Sequence, residues 1–455
     1  MKYVYPNRFR QIVCAVSLLV ILGRILQSNK AIGQQSADKF QSYILLQQTA
    51  SDSYVIFDVN VIPMTGEIIL PHQTVVIANH RILQIAPVTA TPIPAGSQLI
   101  DGRNHYLMPG LADMHIHLNR EYYLSLLVAN GITTVRNMKG TPEILAMRQR
   151  IANGELLGPR IYTAGPILNE VPYDQPSQRI LSTLDGAEHI VAEQKADGYD
   201  FIKVYDGLSG SAYQNVTKAA QEFGIKVAGH VPDGMSVLQI IEAGQQSIEH
   251  LDGYCTLEES QLAAIAQQTA NAGVWNCPTI TAFQPLQPVA GTRTYVQQEM
   301  FDYIPTLTLK IWFLPKDFRE QAYNYASINP VQRNIIQALH KAGALLLAGT
   351  DAPMPCAVPG FALQQELKNL TEAGLTAYEA LQTATYNPAR FLNTLDKFGT
   401  VTVGSEADLI LLNANPLDDV ANLRQIDGVM LQGCWLSRAQ LDELLQTAQL
   451  AAAAE

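Results

Sequence analysis

Basic residues are scarce in this chain, and charged residues of either sign are few. Charged side chains make up 16% of the 455 residues, and 41 aspartates and glutamates outnumber 30 lysines and arginines, for a net charge of −11. Phosphate binding needs clustered lysine and arginine, so this balance argues against a nucleic-acid partner. The low charge and a hydrophobic content of 47% also exclude a disordered chain and predict a well-buried globular enzyme.

Cysteine is scarce as well, with five residues in the whole chain. None of them has the C-x-x-C spacing of a zinc ribbon, which excludes that kind of metal site. Apart from Cys14 near the N-terminus, the sequence leaves Cys255, Cys277, Cys356 and Cys434. In an oxidising compartment these residues allow three full pairings, and buried free thiols are the alternative.

Long hydrophobic runs are absent except near the N-terminus. There, a basic lead precedes the apolar residues 12–23, and Ala31 and Gly33 are the small residues of a cleavage site. The apolar run is shorter than the roughly 20 residues that cross a membrane, so we predict a signal peptide over residues 1–33. The mature protein would then be periplasmic or secreted and free of the membrane. An uncleaved N-terminal membrane anchor is the alternative.

A regular alternation of strand and helix patterns fills the middle of the chain. Between residues 107 and 397, eight short apolar runs are candidate strands, and longer helical patterns follow most of them. Alternation at this spacing indicates parallel strands with crossover helices. Eight such units predict an α/β fold, a (β/α)8 TIM-type barrel with its active site at the carboxyl ends of the strands.

The two flanks of this region are rich in strand patterns instead. Residues 52–106 and 398–438 alternate apolar and polar side chains between turn signals. Each flank is too small for a core of its own, so we predict one small β-sandwich domain formed by both chain ends. Residues 439–455 are predicted as a C-terminal helical tail. An aromatic insert at 281–329 is either a lid over the barrel mouth or plain helical packing.

Two histidines on the first candidate barrel strand begin the candidate site. His115 and His117 lie two residues apart in LADMHIHL. Because side chains alternate faces along a strand, both imidazoles point the same way. Neutral imidazoles bind Zn²⁺ readily, so this pair can anchor a metal. Two structural histidines are the alternative.

Lys203, on the fourth candidate strand, is the most diagnostic residue. In FIKVY it shares a strand face with Phe201 and Tyr205, which we place inside the barrel. Burial there removes its hydration and lowers the pKa of the ammonium group. A neutral amine near metals can add carbon dioxide, and the resulting carbamate can bridge two cations. A surface lysine that extends into solvent is the alternative.

Three further residues end later candidate strands. His230 and His250 end the fifth and sixth strands, and Asp351 ends the eighth. Taken alone, each histidine is a candidate core residue and Asp351 a candidate helix cap. The carboxyl ends of barrel strands meet around one mouth, however, so the ordered set favours a shared two-metal hydrolytic centre.

The ordered motifs resemble those of metal-dependent amidohydrolases. The resemblance is to the branch related to imidazolonepropionase and to prolidase-like dipeptidases, of the Xaa-Pro or Xaa-Arg type, that carry a carboxylated lysine. It runs from about Tyr54 to Arg438. The stretches that carry it are MPGLADMHIHL, GITTVRNM, GELLGPRIYTAG, FIKVYDG, AGHV, SIEHLDG, LLAGTDAP, ATYNPAR and VGSEADLILLNANPL.

This resemblance implies two divalent metal ions, expected to be Zn²⁺. His115, His117 and Asp351 would bind the more buried ion, and His230 and His250 the more exposed one. Each of these five residues is thereby assigned to a single ion.

The resemblance also implies a mechanism. Lys203, carboxylated at its side-chain nitrogen by carbon dioxide, would bridge the two ions. A metal-bridging hydroxide would attack the substrate carbonyl, and Asp351 would shuttle the proton to the leaving amine. We therefore predict hydrolysis of a C–N amide bond, in a dipeptide or an N-acyl amino acid.

Two departures from family patterns leave alternatives open. Imidazolonepropionases bind one metal without a bridging carbamate, so Lys203 argues against that activity. Deaminase-like members carry a glutamate shortly after the fifth-strand histidine, where this chain has Asp233. A mononuclear cyclic amidohydrolase, a deaminase or a lactonase-like hydrolase is the alternative among enzymes. A catalytically silent binding protein is the alternative outside them.

Three residues are candidates for contact with the substrate. Arg136, at the end of the second candidate strand, suits a carboxylate, and Tyr205 and Tyr254 follow later strands. We expect a small-molecule or dipeptide substrate, and the sequence is compatible with a homo-oligomer.

Overall fold

The structure is a computed structural model, and it describes seven stretches of the chain. The predicted signal peptide lies outside the described residues, and so does most of the aromatic insert. No helix within the described stretches is long and apolar enough to cross a membrane. These stretches are residues 53–91, 93–172, 177–181, 186–283, 299–312, 330–354 and 357–455.

The N-terminal flank forms five strands, because its alternating apolar side chains give each strand a face to bury. They are β1 (Ser53–Val61), β2 (Leu70–Ala78), β3 (Arg81–Pro87), β4 (Gln98–Asp101) and β5 (Tyr106–Pro109). β1, β2 and β3 pair antiparallel in succession. β4 and β5 both lie parallel to β1, which makes this a mixed sheet.

Ten strands that pair only in parallel follow, and they form two sheets. β6 to β8 make a three-stranded sheet, and the others make a seven-stranded sheet in the order β10-β9-β11-β12-β13-β14-β15. β6 and β7 are buried along their whole length, which is typical of parallel strands covered on both faces. The bounds are β6 (Leu111–Ile116), β7 (Ile132–Asn137), β8 (Arg160–Thr163), β9 (Ile167–Asn169), β10 (Gln178–Ile180), β11 (Phe201–Val204), β12 (Lys226–Gly229), β13 (Ser247–Glu249), β14 (Trp275–Cys277) and β15 (Leu345–Leu346).

Backbone hydrogen bonds link these two sheets at both of their facing edges. Beside β8 and β11, the N–H of Asp200 donates to the carbonyl of Thr163 at 2.8 Å. Beside β6 and β15, the N–H of Met114 donates to the carbonyl of Ala348 at 2.9 Å. The carboxyl ends of the two sheets are thereby brought to one region of the molecule.

Helices follow most of the parallel strands and share one large apolar core with them. α4 shows how local sequence sets their ends: the Ser209 side chain accepts from the N–H of Ala212, and Gly224 closes the helix with a φ of 63°. Residues 330–341 are also helical. The bounds of the others are α1 (Tyr123–Ala129), α2 (Pro142–Ala152), α3 (Gly186–Ala196), α4 (Gly210–Phe223), α5 (Val237–Glu242), α6 (Glu259–Ala272), α7 (Thr306–Trp312), α8 (Phe361–Glu372), α9 (Ala377–Thr383), α10 (Tyr386–Leu392) and α11 (Arg438–Ala454).

The C-terminal flank returns to the first sheet. It forms β16 (Leu409–Leu412), β17 (Ile426–Leu431) and β18 (Cys434–Ser437). β16 pairs antiparallel with β5, so the sheet order β18-β17-β16-β5-β1-β2-β3 contains both ends of the chain. This sheet has an apolar core of its own, to which Ile56 and Leu409 belong. Helix α11 is the helical tail that the sequence predicts.

Candidate metal centre

The candidate ligands lie in or beyond the carboxyl ends of the parallel strands. Each is placed there by a short apolar strand whose last residues reach a turn, so that five separate segments deliver these six side chains to the same region, and the first segment supplies two of them. In chain order, these are His115 in β6, His117 directly after it, Lys203 in β11, His230 after β12, His250 after β13 and Asp351 beyond β15.

The imidazoles and the carboxylate are in direct contact. Asp351 Oδ1 lies 2.8 Å from His117 Nε2 and 3.3 Å from His115 Nε2. The ring centroid of His250 lies 4.6 Å from that of His115 and 4.8 Å from that of His230. Potential ligand atoms of His115, His250 and Asp351 all lie within 4.8 Å of one another, the spacing that a bound metal ion needs.

Lys203 lies fully buried beneath this cluster. Its Nζ has no hydrogen-bond partner among the residues that the structure describes, and it lies 6.0 Å from the ring centroid of Tyr205. Burial lowers the pKa of its ammonium group, against the opposing charges of Glu249 and Asp351. An unpaired buried amine is rare and calls for a partner that the protein itself does not supply.

Three imidazoles of the cluster are held in the neutral form. Burial lowers the pKa of His115 and His230 well below the usual value, and nearby positive charge on Lys203 adds to the effect. Burial also lowers the pKa of His250, to about 4. Neutral imidazoles keep a lone pair for a metal ion, so the site favours ligation over protonation.

Asp351 is held in the charged form. Burial raises the pKa of a carboxyl group, but the facing imidazoles of His250 and His117 outweigh burial and keep the pKa of Asp351 below its usual range. A carboxylate, neutral imidazoles and the unpaired Nζ of Lys203 together offer the nitrogen and oxygen ligands that Zn²⁺ accepts. The residues present therefore fit a metal centre.

The backbone around the cluster adopts an unusual conformation. His250, Thr279 and Asp351 have φ values of 60°, 49° and 59°, in the left-handed region that side chains other than glycine seldom adopt. Such conformations cost of order 1–3 kcal/mol each and concentrate at functional sites. Here they turn the chain sharply at the strand ends.

Arg136 does not occupy the position predicted for it. Its guanidinium is fully buried, donates to both carboxylate oxygens of Glu249 at 2.9 Å, and donates to Ser247 Oγ at 2.8 Å. Glu249 in turn lies 2.7 Å from His115 Nδ1. Arg136 is absent from the cavity wall described below, and through Glu249 it supports the candidate ligand His115.

The two tyrosines named by the sequence have different positions. Tyr254 is buried, its hydroxyl forms a hydrogen bond with Thr269 Oγ1 at 2.9 Å, and it is absent from the cavity wall. Tyr205 lines the cavity, and its ring centroid lies 4.1 Å from that of His230. Of the candidate substrate contacts, Tyr205 alone is in a position to meet a ligand.

A cavity of about 580 Å³ opens over the cluster. Its wall includes His117, His230, His250 and Asp351, while Lys203 lies below the surface. The remaining wall has a marked charge pattern. Its other charged residues are Lys139, Asp206, Asp233 and Asp252.

Several functional residues escaped prediction from the sequence. Lys139 lies just past the end of β7, where strand-end position alone would have marked it. Asp252 Oδ2 lies 3.2 Å from His230 Nδ1, and burial raises the pKa of this carboxyl group to about 7. Glu249 directly precedes a candidate ligand in SIEH, but its partner Arg136 is distant in sequence and only the fold reveals the pair.

Cys277 lies beside the cluster: its Sγ and potential ligand atoms of His115 and Glu249 all lie within 4.8 Å of one another. Cys255, Cys277 and Cys434 are free thiols within the described part of the chain. Cys277 is fully buried, and Cys255 lies on the cavity wall. Cys356 lies outside the described residues.

Parallel strands that deliver histidines, a carboxylate and a buried lysine to one cavity define a hydrolytic enzyme of the α/β class. The chain belongs to the amidohydrolase family, whose model matches residues 106–436. Such enzymes act on C–N bonds, and the predicted recognition of a metal-dependent amidohydrolase is confirmed.

Relatives and solved structures agree with this assignment. Ochratoxinase of Aspergillus niger is 22% identical over 364 residues, which cover 69% of this chain and 71% of the relative. A protein assigned as a prolidase from Bifidobacterium longum is 26% identical with a TM-score of 0.69, over 88% of this chain and 99% of that one. A Xaa-Pro dipeptidase with methionine bound in its active site is 24% identical with a TM-score of 0.67, over 85% and 100% of the two chains. The neighbours share the TIM-barrel type of α/β fold.

Proposed function

We propose that the protein is a two-metal hydrolase that cleaves the amide bond of a dipeptide or an N-acyl amino acid. The observation that carries this proposal is that six candidate ligands from five separate segments gather at one cavity, four of them on its wall and His115 and Lys203 buried beneath it. The (β/α)8 barrel, with a β-sandwich from both chain ends, is the arrangement we infer from the strand pairing described above.

His115, His117 and Asp351 would hold the more buried ion, and His230 and His250 the more exposed one. When bound, two Zn²⁺ ions lower the pKa of a water molecule to near neutrality and polarise the substrate carbonyl. The short contacts of Asp351 to both His115 and His117 support their common assignment.

Lys203 would join the two halves of the centre as a carbamate. The neutral amine forms a bond from its Nζ lone pair to the carbon of carbon dioxide, and one proton leaves to solvent. The product would carry one negative charge and two oxygen atoms that can act as metal ligands. Full burial and the unpaired Nζ support this assignment, because the carbamate oxygens would receive the partners that the free amine lacks.

Asp351 is in position to move the proton. Its carboxylate lies at the cavity wall and, held ionised by the surrounding imidazoles, can accept a proton from the attacking water. It then donates this proton to the nitrogen of the leaving amine as the C–N bond breaks. One carboxylate serves both steps because its role reverses across the reaction.

Lys139 takes over the role first expected of Arg136. It is the only lysine or arginine on the cavity wall within the described part of the chain, and it lies just past the end of β7. An ammonium group there suits the carboxylate of a dipeptide or N-acyl amino acid. A volume of about 580 Å³ falls within the range typical of small-molecule sites.

Metal analysis and a substrate screen together test this proposal. We expect about two Zn²⁺ ions per chain after growth with zinc and bicarbonate, and turnover of members of a dipeptide and N-acyl amino acid library. One ion per chain with turnover of lactones or heterocycles would replace the proposal by a mononuclear hydrolase or deaminase. Absence of both metal and turnover would favour a binding protein.

We also propose export of the mature chain to the periplasm or the medium, from the N-terminal pattern alone. Mass analysis of the protein from its native host should show loss of residues 1–33. An intact N-terminus in the membrane fraction would support the anchor instead.

A further inference from the structure

The hydroxyl group of Thr279 contacts the Nδ1 atom of the His250 ring. Its Oγ1 lies 2.7 Å from His250 Nδ1, and Thr279 is fully buried. An imidazole that binds a metal through Nε2 carries its proton on Nδ1. The Nδ1–H of His250 can therefore donate a hydrogen bond to Thr279 Oγ1. The hydroxyl therefore fixes both the tautomer and the direction of the ring, with Nε2 turned toward the cluster.

Thr279 itself needs support, because its φ of 49° is unfavourable for a β-branched residue. The support comes from Glu366 in α8. This carboxylate accepts from the N–H of Ile280 at 3.0 Å and from the N–H and Oγ1 of Thr281 at 2.8 and 2.7 Å. Glu366 thus fixes the two residues that follow Thr279.

Within the described stretches Glu366 forms no hydrogen bond or ion pair with the cluster, and its connection runs through this turn. It is fully buried, and Asn369, one turn further along α8, also donates to Thr281 Oγ1 at 3.2 Å. The same turn carries Phe283, which lines the cavity and lies 6.0 Å from His250 between ring centroids. One buried acid therefore anchors both a candidate ligand and part of the cavity wall.

A second network orients His115 and shares no residue with the first. There, Glu249 lies 2.7 Å from His115 Nδ1, and Arg136 and Ser247 hold Glu249. In the proposed two-metal centre His115 would hold the more buried ion and His250 the more exposed one, so each ion would have its own supporting network.

We propose that Glu366 and Thr279 are positioning residues for the more exposed metal ion alone, independent of the Glu249–Arg136 network that supports the more buried ion. This inference depends on the two-metal function proposed above. Outer partners of metal-bound histidines typically change metal affinity by about 10- to 100-fold when removed. The loss should therefore fall on one ion, with the other retained.

The decisive variant is Thr279→Val, which removes the hydroxyl and keeps the β-branched shape. After dialysis against a chelator, the wild type should retain two Zn²⁺ ions, and Thr279→Val should retain one tightly and bind the second about 10- to 100-fold more weakly. Thr279→Ser restores the acceptor and should restore two ions. Glu366→Gln should behave like Thr279→Val, while Glu372→Gln, at the exposed end of the same helix, is the matched control.

The outcomes separate this inference from the function on which it depends. A wild-type protein that never binds two ions contradicts the two-metal function itself. A wild type with two ions and a Thr279→Val variant that keeps both at unchanged affinity contradicts the positioning role. Equal loss of both ions from folded Thr279→Val, with unchanged circular dichroism, contradicts the independence of the networks.

Discussion

Lys203 is the residue at which folding and function are most closely linked. Its Nζ is fully buried without a hydrogen-bond partner in the described part of the chain, which costs about 1–3 kcal/mol for a neutral polar group and more for a charge. The proposed carbamate, bound to two ions, would remove that cost. The stability of the protein should therefore depend on the same chemistry as its activity.

Replacing Lys203 by Ala should abolish the bridged centre. We expect activity to fall by more than about 100-fold, since even outer partners of metal ligands cost about 10- to 100-fold. Metal analysis should show loss of at least one ion. A small carboxylate such as formate, which fits the vacated space and supplies two oxygens, should restore part of the activity.

Lys218→Ala is a suitable control, because this lysine lies exposed on α4 with 76% of its side chain accessible. It should leave metal content and activity unchanged. Full activity and two ions in Lys203→Ala would show that the carbamate plays no part.

Lys139→Met tests the proposed contact with the substrate carboxylate. Loss of a charge-assisted contact of about 1.5–3 kcal/mol should lower kcat/KM about 10- to 100-fold for substrates with a free carboxylate. The same substrates with an amidated C-terminus should react equally with both proteins. Equal losses on both substrate types would place Lys139 elsewhere in the mechanism.

The gathering of the candidate ligands at one region was predictable from the sequence because strand ends in parallel sheets meet, whatever the details of packing. How deeply each side chain lies below the cavity surface was not predictable from the sequence. Strand alternation places Arg136 on an inward face. Only the fold shows that its guanidinium donates to Glu249, which is distant in sequence, below the cavity floor. Tyr254 follows a strand end in the same way and yet turns away to bond Thr269.

At the scale of secondary-structure elements, close packing between strands determines how near the candidate ligands lie to one another. Gly349 lies between β15 and Asp351, where a Cβ atom would stand 2.5 Å from Cys277 Sγ and 2.7 Å from the Cβ of His115. No side chain fits at that spacing without displacing one of the neighbouring strands. The absence of a side chain at this position therefore sets the distance between two ligand-bearing segments.

Gly349→Ala should disturb the more buried ion. We expect overpacking to cost about 1–3 kcal/mol of unfolding free energy and to displace His115, with weaker metal retention measured by chelator competition. Gly210→Ala at the start of α4 is the matched control, since a Cβ atom added there would have no described atom within 4 Å beyond its chain neighbours and its own helix backbone. A Gly349→Ala variant that keeps wild-type stability and metal affinity would contradict the packing argument.

Some elements could be predicted from pattern and others could not. β6 and β7 have apolar residues on both faces, so pattern and structure agree there. β9 and β10 belong to the seven-stranded sheet. β9 falls within the apolar run RIYTAGPILN, whereas β10 lies in the following stretch rich in serine, proline and glutamine, where the sequence indicates no strand. Of the aromatic insert, Phe283 lines the cavity while Phe301 is buried in the core, so its described residues serve both predicted roles.

The whole molecule is tied together by contacts between distant parts of the chain. β5 and β16 pair although about 300 residues separate them. The strand patterns of the two flanks suggested a shared domain but did not show which strands would pair. Arg160 in β8 binds Glu406 and Asp408 just before β16, so the shared sheet is also joined to the parallel strands. This coupling means that titration at the site affects unfolding of the whole protein.

Two sets of buried titratable groups, whose effects on the unfolding free energy have opposite sign, determine how stability depends on pH. The pKa values of His115, His230 and His250 are lowered by burial, so unfolding lets them bind protons below about pH 6.5. Their contribution to stability is present above the unfolded pKa and is lost as the pH falls. Burial raises the pKa of Asp113 and Glu366 to about 7, so their contribution is present below the unfolded pKa and lost as the pH rises.

Comparison of variants isolates the imidazole effect in metal-free protein. Each buried neutral imidazole contributes up to about 1.4 kcal/mol per pH unit between its two pKa values. The unfolding free energy of His230→Asn should therefore fall less steeply than that of the wild type between pH 6.5 and 5, by about 1 kcal/mol per unit, in denaturant titrations. Lys218→Ala, at a side chain that is 76% exposed, should follow the wild-type slope. If His230→Asn and the wild type gave parallel curves, His230 would not be held neutral by burial, and its readiness to bind a metal ion would need another cause.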